Sequence, residues 1–329
     1  MNPTASTVLY FIIVVLLLLN LSRDYEKQRI HHRNFRVIEF RYSTEPPKWN
    51  PDTFLEDGFR GKLPTCRIVT TLVAVITSAP ENYDKRAAIR ESWGGFGDDS
   101  INHESWRYIF LIGQSRDRTT NIRVIEESRI YKDILIGSYV DTYRNLTQKV
   151  IHGLRWVEKY CRPEFLLKTD DDCYINRPLL VEYLQYYNSI TENLYVGRIF
   201  LEKRDVIRAS SSKWAVSVLD YKRSRYPRYA SGIGYIISVD VLQKVIKEMK
   251  YVRPFPNEDA YIGVIINRLG IEPVMSYRFT MYYFTWSDCN HRYMFCLHNV
   301  NTTEQKMLYR KSLNAHKYCP GVEPIKTWD

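Results

Sequence analysis

The segment Ile68 to Thr77 (IVTTLVAVIT) is a β-branched run that stops at Ser78-Ala79-Pro80. Such a run, apolar on both sides and closed by turn residues, fits a buried strand covered on both faces. Further strands are expected at Tyr108–Ile112, Asp133–Ile136, Phe165–Lys168, Leu194–Gly197, Trp214–Val218 and Tyr235–Ser238. Between them apolar residues recur at helical spacing. Leu146, Val150, Leu154 and Val157 share one face ahead of Cys161 and Pro163. Val241, Leu242, Val245, Ile246 and Met249 do the same after Ser238, which suits an N-cap. Strands alternating with helices predict an α/β domain with a mostly parallel central sheet. A chain of 329 residues, 45% of them hydrophobic, has ample material for its core.

The N-terminus is of a different kind. Val8 to Leu21 is almost wholly apolar and reads as a hydrophobic targeting segment. It lacks the small-residue pattern that precedes signal cleavage, which favours an uncleaved anchor. Arg23, Lys27, Arg29, Arg33 and Arg36 follow the segment and none precedes it, so the positive-inside rule alone would leave the rest of the chain in the cytosol. Two observations outweigh that rule. The six cysteines form an even set with no CxxC pair, a poor zinc pattern and an acceptable disulfide set, which implies an oxidising compartment. Asn145-Leu146-Thr147 and Asn301-Thr302-Thr303 are glycosylation sequons, usable only on the lumenal side. Asn20-Leu21-Ser22 fits the same pattern but sits in the apolar segment. From Arg23 to Pro64 the chain is polar and aromatic without periodicity, as a stem would be. The net charge of +10 suits anionic ligands, but no RNP-like stretch, zinc-finger spacing or block of consecutive Lys/Arg points to nucleic acid.

The sharpest chemical feature is Phe165-Leu166-Leu167-Lys168-Thr169-Asp170-Asp171-Asp172-Cys173, an apolar strand ending in three carboxylates. Open α/β sheets bind ligands beyond the carboxyl ends of their strands. Adjacent carboxylates repel one another, and a hard divalent ion relieves that repulsion while also binding substrate phosphates. The plain alternative is an exposed acidic turn.

Several ordered motifs give the sequence a family likeness. They are Arg86–Gly94 (RAAIRESWG), Phe110–Gly113 (FLIG), Asp133–Leu135 leading to Asp141–Lys149 (DTYRNLTQK), Lys168 with the Asp triplet, Tyr226–Tyr235 (YPRYASGIGY) and Glu258–Gly263 (EDAYIG). Together they run through about Cys66 to Cys319, and over this span the chain resembles the β-1,3-galactosyltransferases and β-1,3-N-acetylglucosaminyltransferases of glycosyltransferase family 31. The resemblance implies a GT-A-type, Rossmann-like nucleotide-sugar-binding domain, a UDP-sugar donor, Mn²⁺, inversion at the anomeric carbon and type II topology in the Golgi membrane. In that organisation residues 1–7 are a short cytoplasmic tail, 8–21 the anchor, 22–64 the stem and 65–329 the lumenal catalytic domain.

Roles follow from the same resemblance. Asp172 is the expected direct metal ligand, Asp170 and Asp171 hold ribose, water or donor sugar, and His298 either completes the metal shell or is an ordinary packed or surface histidine. Asp259 is the expected general base that takes the proton of the acceptor hydroxyl, with helix capping as the duller reading. Glu258 and Ser78 belong to the donor site. Arg86 and Arg90 hold the nucleotide or pair with Glu81, Asp84 or Glu91; Lys149 contacts donor and acids or is a solvated helix lysine. Gly232 and Gly234 allow either close approach to a sugar or a tight turn. By family position Cys66 pairs with Cys161 and Cys289 with Cys319; Cys173 departs from the family, standing where it often has a small apolar residue, and is expected to be a packed thiol. The Glu258-Asp259 form of the acidic pair favours UDP-galactose as donor, with an oligosaccharide, glycoprotein or glycolipid acceptor; a β-1,3-N-acetylglucosaminyltransferase and a catalytically silent sugar-binding homologue are the alternatives.

Overall fold

In the computed structural model, strand β1 (Phe59–Arg60) is followed by β2 (Val69–Thr77), helix α1 (Tyr83–Arg90), β3 (Trp106–Gln114), α2 (Arg118–Tyr131), β4 (Ile134–Val140), α3 (Leu146–Tyr160) and β5 (Arg162–Asp170). Next come β6 (Cys173–Ile175), α4 (Arg177–Tyr186), β7 (Tyr195–Ile199), β8 (Ala230–Ser238), α5 (Val239–Glu248) and α6 (Glu258–Arg268). The chain ends with β9 (Val274–Met275), β10 (Phe279–Thr280), β11 (Cys296–His298) and α7 (Thr302–Tyr318). The structure describes residues 59–60, 64, 66, 69–95, 105–281, 287–319 and 323–329. The expected tail and anchor lie outside the described residues, as does most of the stem. None of the described helices is long and apolar enough to cross a membrane.

Eight strands form the main sheet in the order β1-β4-β3-β2-β5-β8-β7-β9. The block β4-β3-β2-β5 is parallel throughout. β8 runs antiparallel to both β5 and β7. This is the parallel-plus-mixed arrangement of a GT-A domain, and it carries the ends of β2 and β5 to one edge. The residues of β2 and β5 alternate between two cores, as period-two geometry requires. Val73, Val75 and Leu166 face α3, α5 and α6. Leu72, Ala74, Ile76, Phe165 and Leu167 face α1, α2, α4 and the second sheet. That second sheet, β10-β11-β6, pairs His298 with Cys173 and Leu297 with Tyr174.

Two expectations change. Trp214–Val218 is not a strand: backbone turns close on Ser212 and Ile207, Ala215 and Val216 are buried, and Trp214 and Val218 point outward. The backbone N–H groups of Ala215 and Val216 are spent on those turns, so they are not offered to a neighbouring strand. The expected stem reaches too far, since Phe59 and Arg60 pair antiparallel with Gly137 and Ile136 at the edge of β4. Ser238 does occupy the N-cap position of α5, yet its hydroxyl donates to Asp240 rather than capping a backbone N–H.

Both expected disulfides are present. Cys66–Cys161 ties the approach to β2 to the end of α3, and Cys289–Cys319 ties the segment before β11 to the end of α7. Closing loops of this size restricts the unfolded chain by about 3–5 kcal/mol each. Cys173 and Cys296 are free and buried. Burial pushes the Cys173 thiol well above its ordinary range, as befits a packed group rather than a nucleophile.

Candidate active site at the sheet edge

The acid triplet begins on the last residue of β5 and turns immediately into β6. Its three carboxylates have separate fates. Asp171 is buried and its oxygens are fully engaged. Ser78 Oγ and Asn82 Nδ2 each donate to Oδ2 at 2.8 Å, and Lys85 Nζ donates to Oδ1 at 3.2 Å. It therefore fastens the loop after β2 to the loop after β5. Asp170 is half-exposed and accepts from Thr77 Oγ1 and, at 2.9 Å, from Lys168 Nζ. Asp172 is also half-exposed, and its Oδ1 lies 3.8 Å from His298 Nε2. Burial and the charge of Asp170 push the Asp172 carboxyl up, while His298 pulls it down.

Asp172 and His298 suit a divalent ion chemically: one hard oxygen and one imidazole nitrogen, both reachable from solvent. Their 3.8 Å separation is less than twice the roughly 2.1 Å bond of such an ion, so one cation can touch both. Among the described residues no three His, Cys, Asp or Glu side chains form a ready cage. Two protein ligands with the remainder drawn from phosphate and water is the usual pattern for these ions. The register of the small sheet makes the pair, because His298 stands opposite Cys173, the neighbour of Asp172.

Lys168 joins this acidic edge to the other half of the site. It is the fourth residue of the run FLLKTD, and its side chain is fully buried. A buried ammonium must be paired. Nζ donates to Gly232 O at 2.7 Å and contacts Glu258 Oε1 at 2.5 Å, besides Asp170. Burial works against its charge, but the carboxylates win and the ammonium is held above its ordinary range. Glu258 is buried as well, with Tyr235 Oη donating to it at 3.4 Å. Burial pushes the Glu258 carboxyl to about 7; Lys168 opposes this, and Asp259 and Asp170 add to it.

Asp259 sits in the first turn of α6. It is not the N-cap, a position held by Asn257. Its Oδ1 accepts from Ala260 N at 2.8 Å and its Oδ2 from Gly232 N at 3.1 Å. Burial pushes the carboxyl up, and those backbone donors with Lys168 only partly offset it. A raised carboxyl that still reaches solvent suits a proton acceptor better than an ordinary one. Gly232 eases this approach: a Cβ there would lie a tight 3.2 Å from Glu258 Oε1 and in ordinary contact, 3.5 Å, with Asp259 Oδ2. Gly234 faces away, toward Cys296 and Phe279. Both glycines lie within β8, so close approach explains Gly232 and a tight turn explains neither.

Other expected residues support the frame. Arg86 and Arg90 are buried and do pair with acids, though not with the three carboxylates named from the sequence. Arg86 grips Glu127 through Nε at 2.8 Å and Nη2 at 2.7 Å. Arg90 grips Asp133 at 2.8 and 2.9 Å. With its face turned toward α2, Arg86 donates to Ser78 Oγ at 3.0 Å and so positions the hydroxyl that holds Asp171. Lys149 is buried, not solvated; Nζ donates to Ser78 O and to Asp141 Oδ1, both at 2.8 Å. Thr77, Asn82, Lys85, Asp141 and Lys168 have no site role in the sequence reading, although Asp141 and Lys168 stand in its motifs. Of these Lys168 carried a signal, as a charge inside a buried strand.

The sequons differ in setting. Asn145 is half-buried and its amide donates to Val140 O at 2.9 Å. Asn301 is exposed and caps α7, accepting from Thr303 N and Glu304 N at 3.0 Å.

A parallel sheet edge with an acid–imidazole pair on one side and a raised carboxyl on the other suits the chemistry of a nucleotide-sugar glycosyltransferase. Comparison with known proteins agrees. The Galactosyltransferase family model matches residues 84–276. The chain is 31% identical to Beta-1,3-galactosyltransferase 1 of Mus musculus over 253 residues, 75% of this chain and 76% of that one. It is 34% identical to Beta-1,3-galactosyltransferase 5 of Homo sapiens, covering 70% and 74%. It is 32% identical to the UDP-GalNAc:beta-1,3-N-acetylgalactosaminyltransferase 1 of Mus spicilegus, covering 71% of each. The chain belongs to the galactosyltransferase family and is a hexosyltransferase.

Proposed function

We propose that the protein transfers galactose from UDP-galactose to a hydroxyl of an acceptor glycan, forming a β-1,3 linkage with inversion. The observation that carries this reading is the Lys168 ammonium, which spans Asp170 on the leaving-group side and Glu258, the neighbour of Asp259, on the attacking side. One buried residue thus holds both halves of the reaction in register. The acceptor oxygen attacks the anomeric carbon from the face opposite UDP, the bond from that carbon to the diphosphate oxygen breaks, and Asp259 takes the hydroxyl proton. Asp172 and His298 would hold Mn²⁺, which as a Lewis acid stabilises the departing diphosphate. Ser78, Arg86, Lys85 and Asp171 fix the floor under the nucleotide, and Asp170 presents a half-exposed carboxylate to the donor sugar.

Galactose is favoured by two β-1,3-galactosyltransferase relatives and by the Glu258-Asp259 pair. The N-acetylgalactosaminyl relative makes UDP-GalNAc the second donor to test. The disulfides accord with an oxidising lumen and a Golgi type II protein anchored through residues 8–21. The decisive assay is UDP release from each UDP-sugar over a panel of oligosaccharide, glycoprotein and glycolipid acceptors, with and without Mn²⁺, using wild type and Asp259→Asn. UDP-galactose turnover that falls at least 100-fold in the variant while UDP binding persists is the expected result. Equal turnover by wild type and variant overturns the role of Asp259.

A further inference from the structure

The chain's positive charge is concentrated at one place. Residues 201–229 carry eight Lys/Arg against three Asp/Glu, so this segment alone holds +5 of the formal net +10. It is a folded platform rather than a loose loop. Arg208 donates to the carbonyls of Val216, Tyr221 and Arg223 at 2.7–2.8 Å, and an isolated bridge joins Asp205 to Arg225. Tyr226 stacks on Phe255 at 5.8 Å, just ahead of α6. The platform presents Lys213 and Trp214 at the mouth of the Asp259 side. Asn257 Nδ2, two residues before Asp259, donates to Trp214 O at 3.3 Å. The Trp214 ring remains 47% exposed. Tyr143 stands across from it. Burial pushes the Tyr143 hydroxyl up, as do the charges of Asp259 and Glu258, so Tyr143 faces the same acids. Lys213 Nζ lies 5.6 Å from the Tyr143 ring and 4.7 Å from the Trp214 ring.

We propose that Tyr143, Lys213 and Trp214 form the acceptor subsite and that its ligand is an anionic glycan, bearing a carboxylate or a sulfate beside the reacting sugar. The inference rests on the glycosyltransferase reading, because only that reading makes the Asp259 side the acceptor's side. An exposed indole offers the apolar face on which the C–H face of a pyranose packs, while its edge stays in water. Ring faces hold the ammonium in place without neutralising it. An acidic group arriving there gains a charge-assisted contact, and the surrounding +5 raises the local concentration of anions. The diphosphate of the donor does not account for this charge, since its place is at Asp172 and His298, beyond Lys168.

The test is equilibrium binding to the full-length protein, without donor, of three fluorescent tetrasaccharides. One is hyaluronan, carrying carboxylates; one is 6-O-sulfated di-N-acetyllactosamine; the third is neutral lacto-N-neotetraose. At least one anionic probe is expected to bind 10-fold or more tightly than the neutral one. Lys213→Gln should remove 5-fold or more of that preference, Lys213→Arg should keep it, and Trp214→Ala should weaken all three probes. Lys250→Gln, the same charge loss on an exposed lysine elsewhere, should change nothing. Which anionic probe binds assigns the carboxylate or the sulfate. Equal binding of charged and neutral probes, no binding of any, or equal losses in Lys213→Gln and Lys250→Gln overturns the proposal. UDP release is measured separately: probe binding without turnover on any donor sinks the enzymatic reading and not the anionic site.

Discussion

Replacing Lys168 by Met tests the centre of the site most directly. The side chains are close in length, so the substitution removes a buried charge with little change in packing volume. It leaves Glu258 and Asp170 without their shared cation, and breaking a buried ion pair in this way costs about 3–5 kcal/mol. For a domain of this size that is a Tm loss of roughly 6–20 °C. The cost also depends on pH. Glu258 already has a folded-state pKa of about 7, above its ordinary 4.5, and Lys168 is what restrains it. Losing Lys168 raises the carboxyl further. A carboxyl raised by folding contributes stability that is present below its unfolded value and lost as pH climbs through its folded value. The penalty of Lys168→Met is therefore smaller near pH 5 than near pH 8, and adding Glu258→Gln should recover part of it at pH 8. Chemical denaturation of wild type, Lys168→Met and the double variant at both pH values measures this. A penalty below about 1 kcal/mol, or one identical at both pH values, refutes the account of Lys168 as the hub.

Gly232→Ala forces a methyl to 3.2 Å from Glu258 Oε1 and 3.5 Å from Asp259 Oδ2, so turnover should fall more than UDP binding, with about 1–3 kcal/mol lost in unfolding experiments. Wild type with Mn²⁺ and UDP at 100 times Kd should gain about 2.7 kcal/mol of stability, a linkage that chelation with EDTA reverses. Asp172→Ala and His298→Ala should each reduce that gain at the same ligand concentrations; unchanged thermal shifts in both variants exclude them as ligands. Thr303→Ala destroys the sequon at Asn301 while sparing the asparagine cap of α7, whose bonds come from backbone N–H groups. Intact mass of the secreted catalytic domain should drop by one glycan, with Tm nearly unchanged.

What could be read from the sequence was local. β2 announces itself because a strand buried on both faces is largely apolar, β5 does so through Phe165–Leu167, and the acids from Asp170 onward stand where such strands end. The disulfides and the His298 position came only through family likeness, since nothing in spacing pairs residues 95 apart. Arg86 shows the limit well. Two arginines on one helix turn suggest a phosphate clamp, and the carboxylate that satisfies Arg86 lies 41 residues away on another helix. Trp214 to Val218 misled because an apolar stretch can be a surface platform as well as a strand, and only tertiary hydrogen bonds, such as the one from Asn257 to Trp214 O and the one from Val216 N to Ile207 O, separate the two.

The neighbouring strands β5 and β8 have a wider consequence. Thr169 and Gly234 are ladder partners, so the acid-bearing end of one strand and the Gly232 backbone that holds Asp259 are spaced by sheet hydrogen bonds. On the proposed roles of Asp172 and Asp259, the gap between bond breaking and proton removal is thus set by the backbone ladder. Surface segments such as 201–229 hang outside that ruler. If they hold the acceptor as proposed, mutation can reshape them for new sugars while the ladder stays unchanged.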